Sequence, residues 1–424
     1  MTVELVESVP TALQPTITTA QEDRFKELNK VLEKWFYKPD LQAVRIALGA
    51  VKAHYLRIGD PAWVFLVAPP GAGKTTMSLM GACGLPEVVS LSDFSENTFL
   101  SGFYGHREAG LLEKLGHTVQ EGTTFTTRGD AIFLAKDFTT VLSMRREKRA
   151  MILSQLREIH DGTWKRNFGT GETKIWQGRV TILAAVTPVL DRFFSIFSVL
   201  GERFLQLRWH RPDSEEAGEW AINQQGQEEI IQKEAREAIS LLISKASTTT
   251  PTLPLAVRSR IAALAEIVAL GRTHIFRNGY GNREIEYVPE SEANTRISKG
   301  LAALIRGIAA LNGHAEVKEQ DLQDGFRVGL DCLPEQRRSI ILALHNGTDV
   351  MVVPMPATVR KRVLEELEAL EILNPREALG FTTPATNPTL SESAAHLLSK
   401  AGLAETLSSG PDNLPKPDPY ALSL

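Results

Sequence analysis

A glycine-rich segment, Ala68-Pro-Pro-Gly-Ala-Gly-Lys-Thr-Thr76, carries the most specific chemical signature in the sequence. Gly71 and Gly73 let the backbone turn tightly and approach phosphate oxygens, because glycine has no β-carbon. Lys74 stands where an ammonium group reaches the β- and γ-phosphates, and the Thr75 hydroxyl can hold Mg²⁺. The segment therefore predicts a binding site for ATP with Mg²⁺. The residues expected to bind the nucleotide are Pro70, Gly71, Ala72, Gly73, Lys74, Thr75 and Thr76.

The elements on either side of this loop have the order that such a site needs. The apolar run Trp63–Val67 predicts a buried strand, and the residues from Thr75 to Gly81 predict a helix. A helix that begins at the loop directs its free N–H groups and its positive dipole end at an anion. The segment departs from the GxxxxGK[ST] pattern only at Ala68, which replaces the first glycine.

Hydrolysis of a bound nucleotide also needs acidic side chains near the metal and the attacking water. The best candidates follow the apolar run Ala131–Ala135, where Lys136 and Asp137 stand instead of a pair of acids. Aligned by strand length, Lys136 replaces the acid directed at Mg²⁺, and Asp137 replaces the catalytic acid. A shift of one residue makes Asp137 the Mg²⁺ ligand instead. A third interpretation, in which Asp137 only caps a helix over Thr139–Ile159, also stays open.

A predicted β-hairpin supplies a group of cations. Two short polar-aromatic strands flank Gly169-Thr-Gly171, a glycine-permitted turn. The cations of the hairpin are Lys165, Arg166 and Lys174, which suit contact with a phosphodiester backbone. Trp164 and Trp176 could stack on bases, but packing across the two strands is the favoured interpretation.

The elements that position these residues indicate an α/β fold. The apolar runs Trp63–Val67, Ala131–Ala135 and Val180–Val186 alternate with helical segments, which is typical of a parallel sheet. The third run ends at Thr187, so a hydroxyl lies at the carboxyl end of that strand. From His210 almost to the end, the pattern is helical.

Composition excludes several classes of protein. The 424 residues include 47 Lys and Arg against 51 Asp and Glu, so a uniformly basic nucleic-acid coat is excluded. Two cysteines, Cys83 and Cys332, cannot form a disulfide framework, and free thiols in a reducing compartment are expected. The sequence has no run long enough to span a membrane and no secretory signal. We expect a cytoplasmic protein without membrane contact.

Residues Val64–Leu330 resemble AAA+ ATPases of the helix-2-insert and pre-sensor-1-hairpin branch. The nearest likeness is to the ATPase core of minichromosome maintenance (MCM) helicases, with magnesium-chelatase and MoxR-type ATPases as relatives. Leu156–Pro188 is similar to that family's helix, hairpin and sensor-1 strand, and Ala109–Gly116 corresponds to its inserted elements. Thr187 stands where the family has asparagine.

The resemblance implies roles for two arginines. Gly201-Glu-Arg-Phe204 resembles an arginine-finger motif, so Arg203 would reach the γ-phosphate held by a neighbouring subunit. The segment Pro289–Arg306 resembles the lid helix that carries sensor 2, with Arg296 as the candidate. A finger that acts on a neighbour implies a ring oligomer, and the family makes six the expected number. The expected catalytic residues are Lys74, Asp137, Thr187, Arg203 and Arg296, and the expected metal-binding residues are Thr75 and Asp137.

The expected architecture is a three-layer αβα P-loop core with a helical lid and a winged-helix-like unit. The expected divisions are a flexible arm at 1–20, the core with its N-terminal helices at 21–210, the lid at 211–332, the winged-helix-like unit at 333–405 and a disordered tail at 406–424. In the winged-helix-like unit, Arg360, Lys361 and Arg362 open a helix that could meet DNA, although Glu365 and Glu366 oppose that interpretation.

The implied function is that of an Mg-ATP-dependent, ring-forming motor that translocates on, remodels or loads onto DNA. Two alternatives stay open. One is a protein remodeller of the MoxR or chelatase kind, whose hairpin would grip polypeptide and which would need a partner protein. The other is a weakly hydrolysing nucleotide switch, which the lysine at position 136 favours.

Overall fold

The computed structural model describes residues 19–71, 84–92, 94–95, 98–100, 110–169, 171–193, 203–210, 215–279, 284–375 and 388–403. Its strands are β1 (Trp63–Val67), β2 (Val88–Leu91), β3 (His117–Glu121), β4 (Thr124–Arg128), β5 (Ala131–Ala135), β6 (Thr163–Asn167), β7 (Thr173–Gln177), β8 (Val180–Val186), β9 (Phe204–Arg208), β10 (Phe276–Arg277) and β11 (Ile285–Tyr287). Its α-helices are Thr19–Trp35, Leu41–Tyr55, Leu111–Leu115, Thr139–Leu142, Arg146–His160, Glu215–Asn223, Glu228–Lys245, Leu255–Gly271, Thr295–Asn312, Glu319–Asp331, Glu335–His345, Ala357–Ala369 and Glu392–Ala401.

A five-stranded parallel sheet with the order β2-β5-β8-β1-β9 forms the centre of the molecule. The predicted α/β class with a parallel sheet is thus confirmed. The runs predicted as strands are β1, β5 and β8, and they lie side by side. They are apolar except at Thr181 because both faces of this sheet are covered, and every residue of the three strands is buried.

Alternate side chains of each strand enter two different apolar cores. Val64 and Leu66 face a core that includes the helices Leu41–Tyr55 and Thr295–Asn312. Trp63 and Phe65 face an aromatic-rich core that includes the helix Arg146–His160. Helical layers therefore lie on both faces of the sheet.

The helix predicted over Thr139–Ile159 is broken in two. Thr139–Leu142 is one short helix, and Arg146–His160 is a second that begins after a turn. Arg149 donates hydrogen bonds to the carbonyls of Leu142 and Met144, at 2.7 and 3.4 Å, and so satisfies acceptors that the break leaves free.

A second sheet, with the order β3-β4-β7-β6, extends from the amino-terminal edge of the central sheet. It consists of two hairpins, β3–β4 and β6–β7, joined by parallel pairing of β4 with β7. These two strands lead directly into β5 and β8, which are also paired in parallel. Gly129 and Gly178 form the corner, where a β-carbon at Gly178 would overlap the carbonyl group of Gly129.

The N-terminal helices lie against helices of the expected lid as well as against the central sheet. Leu41–Tyr55 packs along Thr295–Asn312, and Thr19–Trp35 packs against Glu228–Lys245. A partly buried pair of Arg45 and Asp324, at 2.6 Å, adds a polar contact to the same interface. Elements before and after residue 210 thus contribute side chains to one core.

The C-terminal elements form a helical unit with one short strand contact. The helices Glu335–His345 and Ala357–Ala369 pack on each other, and Leu373 forms an antiparallel bridge with Leu390. The last helix, Glu392–Ala401, packs on Leu255–Gly271. No helix of the described ranges has the length and apolar character that a membrane crossing requires.

Candidate functional site

The glycine-rich loop begins at the carboxyl end of β1, which lies between β8 and β9 in the central sheet. The Ala68 N–H donates to the Val186 carbonyl at 3.1 Å, so the loop leaves the sheet beside the end of β8. Gly71 has a φ of 79°, a left-handed conformation that favours glycine, and a β-carbon there would meet nothing within 4 Å. The other predicted nucleotide-binding residues, Ala72, Gly73, Lys74, Thr75 and Thr76, lie outside the described residues.

Two predicted catalytic side chains lie at this same carboxyl edge. Thr187 directly follows β8, and Asp137 follows β5 by two residues. Thr139 connects their loops: its hydroxyl oxygen accepts the Thr187 N–H at 3.2 Å and lies 3.4 Å from the Thr187 hydroxyl oxygen. The Phe138 N–H donates to the Ala185 carbonyl at 2.8 Å. The sheet thus brings together Asp137, Thr187 and the start of the loop.

Asp137 has a local structural role and also faces solvent. Its Oδ1 accepts the Thr139 N–H at 2.9 Å, at the start of the helix Thr139–Leu142. The side chains of Lys136 and Asp137 are both exposed. The described residues offer no hydrogen-bond partner to Asp137 Oδ2, which leaves that oxygen accessible to a cation or a water.

A partly buried ion pair that the sequence analysis missed lies at the same edge. Arg208, the last residue of β9, donates to both carboxylate oxygens of Asp191, at 2.7 and 2.9 Å. Its Nε donates to the Asp331 carbonyl at 3.2 Å, on a helix of the expected lid. The pair connects the segment after Thr187 to the helical part of the chain.

Arg203 lies at the opposite, amino-terminal edge of the sheet, directly before β9. Its guanidinium donates three hydrogen bonds to Asp161, from Nη2 at 2.9 and 3.2 Å and from Nε at 3.3 Å. Strand β1, which spans roughly 15 Å at 3.3 Å per residue, separates Arg203 from the loop that follows Val67. Arg203 therefore lies at the opposite edge of the sheet from the start of the glycine-rich loop. The preceding Gly201 and Glu202 lie outside the described residues.

Arg296 lies next to Arg203, at the same amino-terminal edge of the sheet. It is exposed at the start of the helix Thr295–Asn312 and lines one cleft with Arg203 and Arg272. Arg272 is paired with Glu292 in this cleft at 2.5 Å. The two arginines to which the resemblance gives catalytic roles thus share one edge of the molecule.

The charges in this cleft are well defined at neutral pH. Burial raises the pKa of Asp161, but the hydrogen bonds and charge of Arg203, with a contribution from His160, outweigh it and hold the pKa below its ordinary value. Burial lowers the pKa of His160, and the positive charge of Arg203 lowers it further. Asp161 is therefore ionised and His160 neutral, so Arg203 and Asp161 form a true ion pair.

The three predicted hairpin cations have different environments. Lys165 is exposed, whereas Arg166 donates to the Leu100 carbonyl at 3.0 Å and lies over the Phe168 ring. Lys174 is buried, and its ammonium lies 2.6 Å from a Glu113 carboxylate oxygen. Of the three, only Lys165 presents its charge fully to solvent in this structure.

The two hairpin tryptophans pack as expected. Trp164 and Trp176 are directly opposite each other on β6 and β7 and are both buried in the aromatic-rich core. The favoured interpretation of cross-strand packing is confirmed.

The arginines of the C-terminal unit mainly hold its own fold. Arg360 Nη2 donates to three backbone carbonyls, those of Met351, Val353 and Met355, at 2.9–3.2 Å. Arg362 donates to the Gln336 side chain at 3.2 Å. Lys361 is exposed.

No protein-family model matches the chain, and no curated protein is significantly similar to it. Within the described ranges, no group of three or more His, Cys, Asp and Glu side chains is placed to hold a metal ion by itself. A metal at the carboxyl edge would therefore depend on oxygens of the nucleotide together with protein oxygens such as those of Asp137.

Proposed function

We propose that the chain is an Mg-ATP-dependent ATPase of the AAA+ kind that assembles into a ring, in which each active site lies between two copies, and acts on DNA. The observation that carries the proposal is the separation of two sets of residues by the central sheet. The start of the glycine-rich loop (residues 68–71), Asp137 and Thr187 lie at its carboxyl edge, whereas Arg203 and Arg296 lie at its amino-terminal edge.

The carboxyl edge has groups suited to hydrolysis. Gly71 starts a turn that leaves space for a phosphate, and the exposed Asp137 carboxylate and the Thr187 hydroxyl can orient a water. Oxygen donors of this kind fit Mg²⁺, which would neutralise charge that develops on the transferred phosphoryl group. Thr139 fixes the position of Thr187 through two hydrogen bonds, so the hydroxyl is preorganised.

The amino-terminal edge supplies positive charge that its own site cannot use. Arg203 and Arg296 share a cleft that lies on the other side of the sheet from the loop of the same chain. A second copy, docked with its carboxyl edge against this cleft, would bring the phosphate of its bound nucleotide to them. Such head-to-tail contact generates a closed ring when the rotation between copies closes, with six copies expected from the family likeness.

Mixing of two inactive variants tests the shared site. Asp137→Asn removes the catalytic carboxylate, and Arg203→Lys removes the bidentate guanidinium. Each variant alone is expected to lose ATPase activity. A mixed ring regains part of it, because some interfaces combine an intact Asp137 from one copy with an intact Arg203 from the next. Loss of activity in both variants without recovery on mixing would refute the shared site, and wild-type activity in Arg203→Lys would refute the arginine role.

Action on DNA is supported by Lys165 on an exposed face of the second sheet. Lys165→Ala is expected to weaken DNA binding and to reduce the slope of log affinity against log salt by roughly 0.7–0.9 for each phosphate that the lysine neutralises. Lys233→Ala, an exposed lysine on the helix Glu228–Lys245, is the matched control and leaves the slope unchanged. An identical slope in both variants would remove the hairpin from the DNA interface.

A protein remodeller is the second candidate function. It is favoured by the burial of Lys174 and by the internal contacts of Arg166, which leave the hairpin with less free positive charge than its sequence suggests. Stimulation of the ATPase by DNA supports the first candidate, and stimulation only by an unfolded or partner protein supports the second.

The C-terminal helices and the Leu373–Leu390 bridge are consistent with a small winged-helix-like unit. We include this unit in the proposal as a docking element rather than as a DNA reader, because Arg360 and Arg362 donate hydrogen bonds within it.

A further inference from the structure

We propose that Asp161 is a positioning residue that holds Arg203 at rest, and that transfer of Arg203 from Asp161 to the phosphate of a neighbouring copy moves the base of the β6–β7 hairpin. The inference rests on the proposed function, because it requires an arginine that acts on a neighbour's nucleotide. It adds a physical link from the nucleotide to the hairpin within one chain.

The contact between Arg203 and Asp161 has a geometry and an exposure that allow Arg203 to change its partner. Three hydrogen bonds of 2.9–3.3 Å join Arg203 to Asp161. The Arg203 side chain is 8% exposed, whereas that of Asp161 is 57% exposed. A carboxylate that faces solvent can release its partner at a small desolvation cost, because water replaces the broken hydrogen bonds.

A phosphate competes with a carboxylate for the same donors. The guanidinium has a planar set of N–H donors that matches either anion in a bidentate geometry. Because Nη2 and Nε of Arg203 both donate to Asp161, a phosphate that takes this bidentate edge of the guanidinium must displace the carboxylate. The ion pair thus sets a resting state that nucleotide at the neighbouring site must overcome.

Asp161 lies at the point where the hairpin joins the core. It follows the helix Arg146–His160 directly and precedes β6 by one residue, Gly162, whose φ is 83°. The Gly162 carbonyl accepts the Gly178 N–H at 3.0 Å, so the two ends of the hairpin meet there. A shift of the Asp161 backbone therefore reaches both strands of the hairpin.

His160, the residue before Asp161, anchors this junction to the central sheet. The His160 ring packs edge-on against Trp63 at 5.0 Å, and the Trp63 indole N–H donates to the Val180 carbonyl at 2.7 Å. His160 Nδ1 lies 3.4 Å from Asp161 Oδ1. Since His160 is held against the sheet, a backbone shift at Asp161 moves the residues that follow it, Gly162 and the hairpin, rather than His160.

The test compares the ratio of DNA-stimulated to basal ATPase activity in full-length Asp161→Asn and Asp161→Glu. Asparagine keeps the size but removes the negative charge, so Asp161→Asn weakens the contact with Arg203. Basal turnover is expected to rise several-fold, and the ratio of stimulated to basal activity is expected to fall to about 1. Glutamate keeps the carboxylate and is expected to keep most of the stimulation. Glu319→Gln is the control, because Glu319 is also an exposed carboxylate that pairs with an arginine, Arg260, but does not line this cleft.

Amide hydrogen exchange is the second measurement. If Asp161 had only a structural role, ATP would not change the exchange rates of the hairpin amides. In the wild type, a non-hydrolysable ATP analogue is expected to increase exchange at the amides of β6 and of Gly178. In Asp161→Asn these amides are expected to exchange fast before the analogue is added, while a thermal melt shows that the variant is folded.

Two outcomes separate this inference from the proposed function. If the wild type hydrolyses ATP and needs Arg203, but Asp161→Asn keeps the wild-type ratio and exchange pattern, the inference is wrong and the proposed function stands. If the wild type neither binds ATP nor assembles with it, both are overturned.

Discussion

The ammonium of Lys174 lies 2.6 Å from a carboxylate oxygen of Glu113, and both side chains are nearly buried. The other Glu113 oxygen accepts the Gly110 N–H at 2.7 Å, at the start of the helix Leu111–Leu115. The pair therefore ties β7 of one hairpin to the helix that leads into the other hairpin. Lys174 has a structural position, in contrast to the exposed Lys165 on the same hairpin.

Lys174→Ala is expected to lower the free energy of unfolding by about 3 kcal/mol, because it leaves the Glu113 carboxylate buried without its cation. The double variant Lys174→Met/Glu113→Gln recovers much of this stability, since no charge is then left unpaired. Urea denaturation measures both. A Lys174→Ala protein that keeps wild-type stability and instead shows a lower salt slope of DNA binding would assign this lysine to the ligand.

Replacement of glycine by alanine is expected to have opposite effects on stability at two positions of one helix. In Thr295–Asn312, a β-carbon at Gly307 would overlap the Gly49 carbonyl oxygen of the crossing helix. Gly307→Ala is therefore expected to cost about 1–3 kcal/mol through overpacking.

At Gly300, a β-carbon would lie 3.6 Å from the nearest atom of Leu205, an ordinary contact. Gly300→Ala is expected to raise stability by about 0.5–1 kcal/mol, because alanine favours helix. Urea denaturation of the two variants checks the pair. Equal effects would show that the helices Leu41–Tyr55 and Thr295–Asn312 do not approach as closely as described.

A buried histidine predicts a specific loss of stability in acid. Burial, aided by the positive charge of Arg179, lowers the pKa of His54 to about 4. Its ring is held between the Thr181 hydroxyl at 3.0 Å and Glu87 at 3.4 Å. The pKa of His54 is lower in the folded chain than in the unfolded chain. The neutral ring therefore contributes fully to the free energy of unfolding above about pH 6.5, and this contribution is lost as the pH falls to about 4.

The expected loss over this range is about 3 kcal/mol for His54, at 1.36 kcal/mol per unit of pKa difference. In His54→Gln, the free energy of unfolding should fall less steeply between pH 6.5 and 4 than in the wild type. His396→Gln, at an exposed position, is the control and should keep the wild-type slope. Unfolding curves at several pH values give the free energy of unfolding of each protein. Equal slopes of this free energy against pH in wild type and His54→Gln would contradict the prediction.

The sequence predicts the central sheet well because burial on two faces leaves a simple pattern. Strands β1, β5 and β8 are continuous apolar runs and are found where those runs lie. The hairpin β3–β4 leaves no such pattern, since all five residues of β3 are exposed. It is held by pairing with β7, a contact between residues far apart in the chain.

Site residues were harder to predict where their roles depend on strand faces. The two-residue period of β6 places Trp164 and Arg166 on the inner face and Lys165 on the outer face. Lys174 is the cross-strand partner of Arg166 and so shares the inner face, which explains its burial. The alternation of residues along the hairpin is enough to predict that Lys174 lies on the inner face. It does not predict the partner Glu113, because no local pattern indicates a pair 61 positions apart. The pair of Arg203 and Asp161 was missed for the same reason.

The lysine after β5 provides a test of how the metal site is aligned with the strand. Lys136 is exposed, and its backbone N–H donates to the Leu91 carbonyl at 3.1 Å, so the strand end is well anchored. If Lys136 stands in the place of the metal-directed acid, Lys136→Asp brings a carboxylate to Mg²⁺ and removes a competing cation. Turnover is then expected to rise by about tenfold, which corresponds to ~1.4 kcal/mol of barrier.

Lys136→Ala separates the two effects, because it removes the ammonium group without adding a metal ligand. A gain in Lys136→Asp that exceeds the gain in Lys136→Ala, with a lower Mg²⁺ concentration at half-maximal activity, supports this alignment. If Asp137 is itself the Mg²⁺ ligand, the two variants have equal turnover and an unchanged Mg²⁺ dependence. ATPase assays over a Mg²⁺ titration distinguish the two alignments that the sequence leaves open.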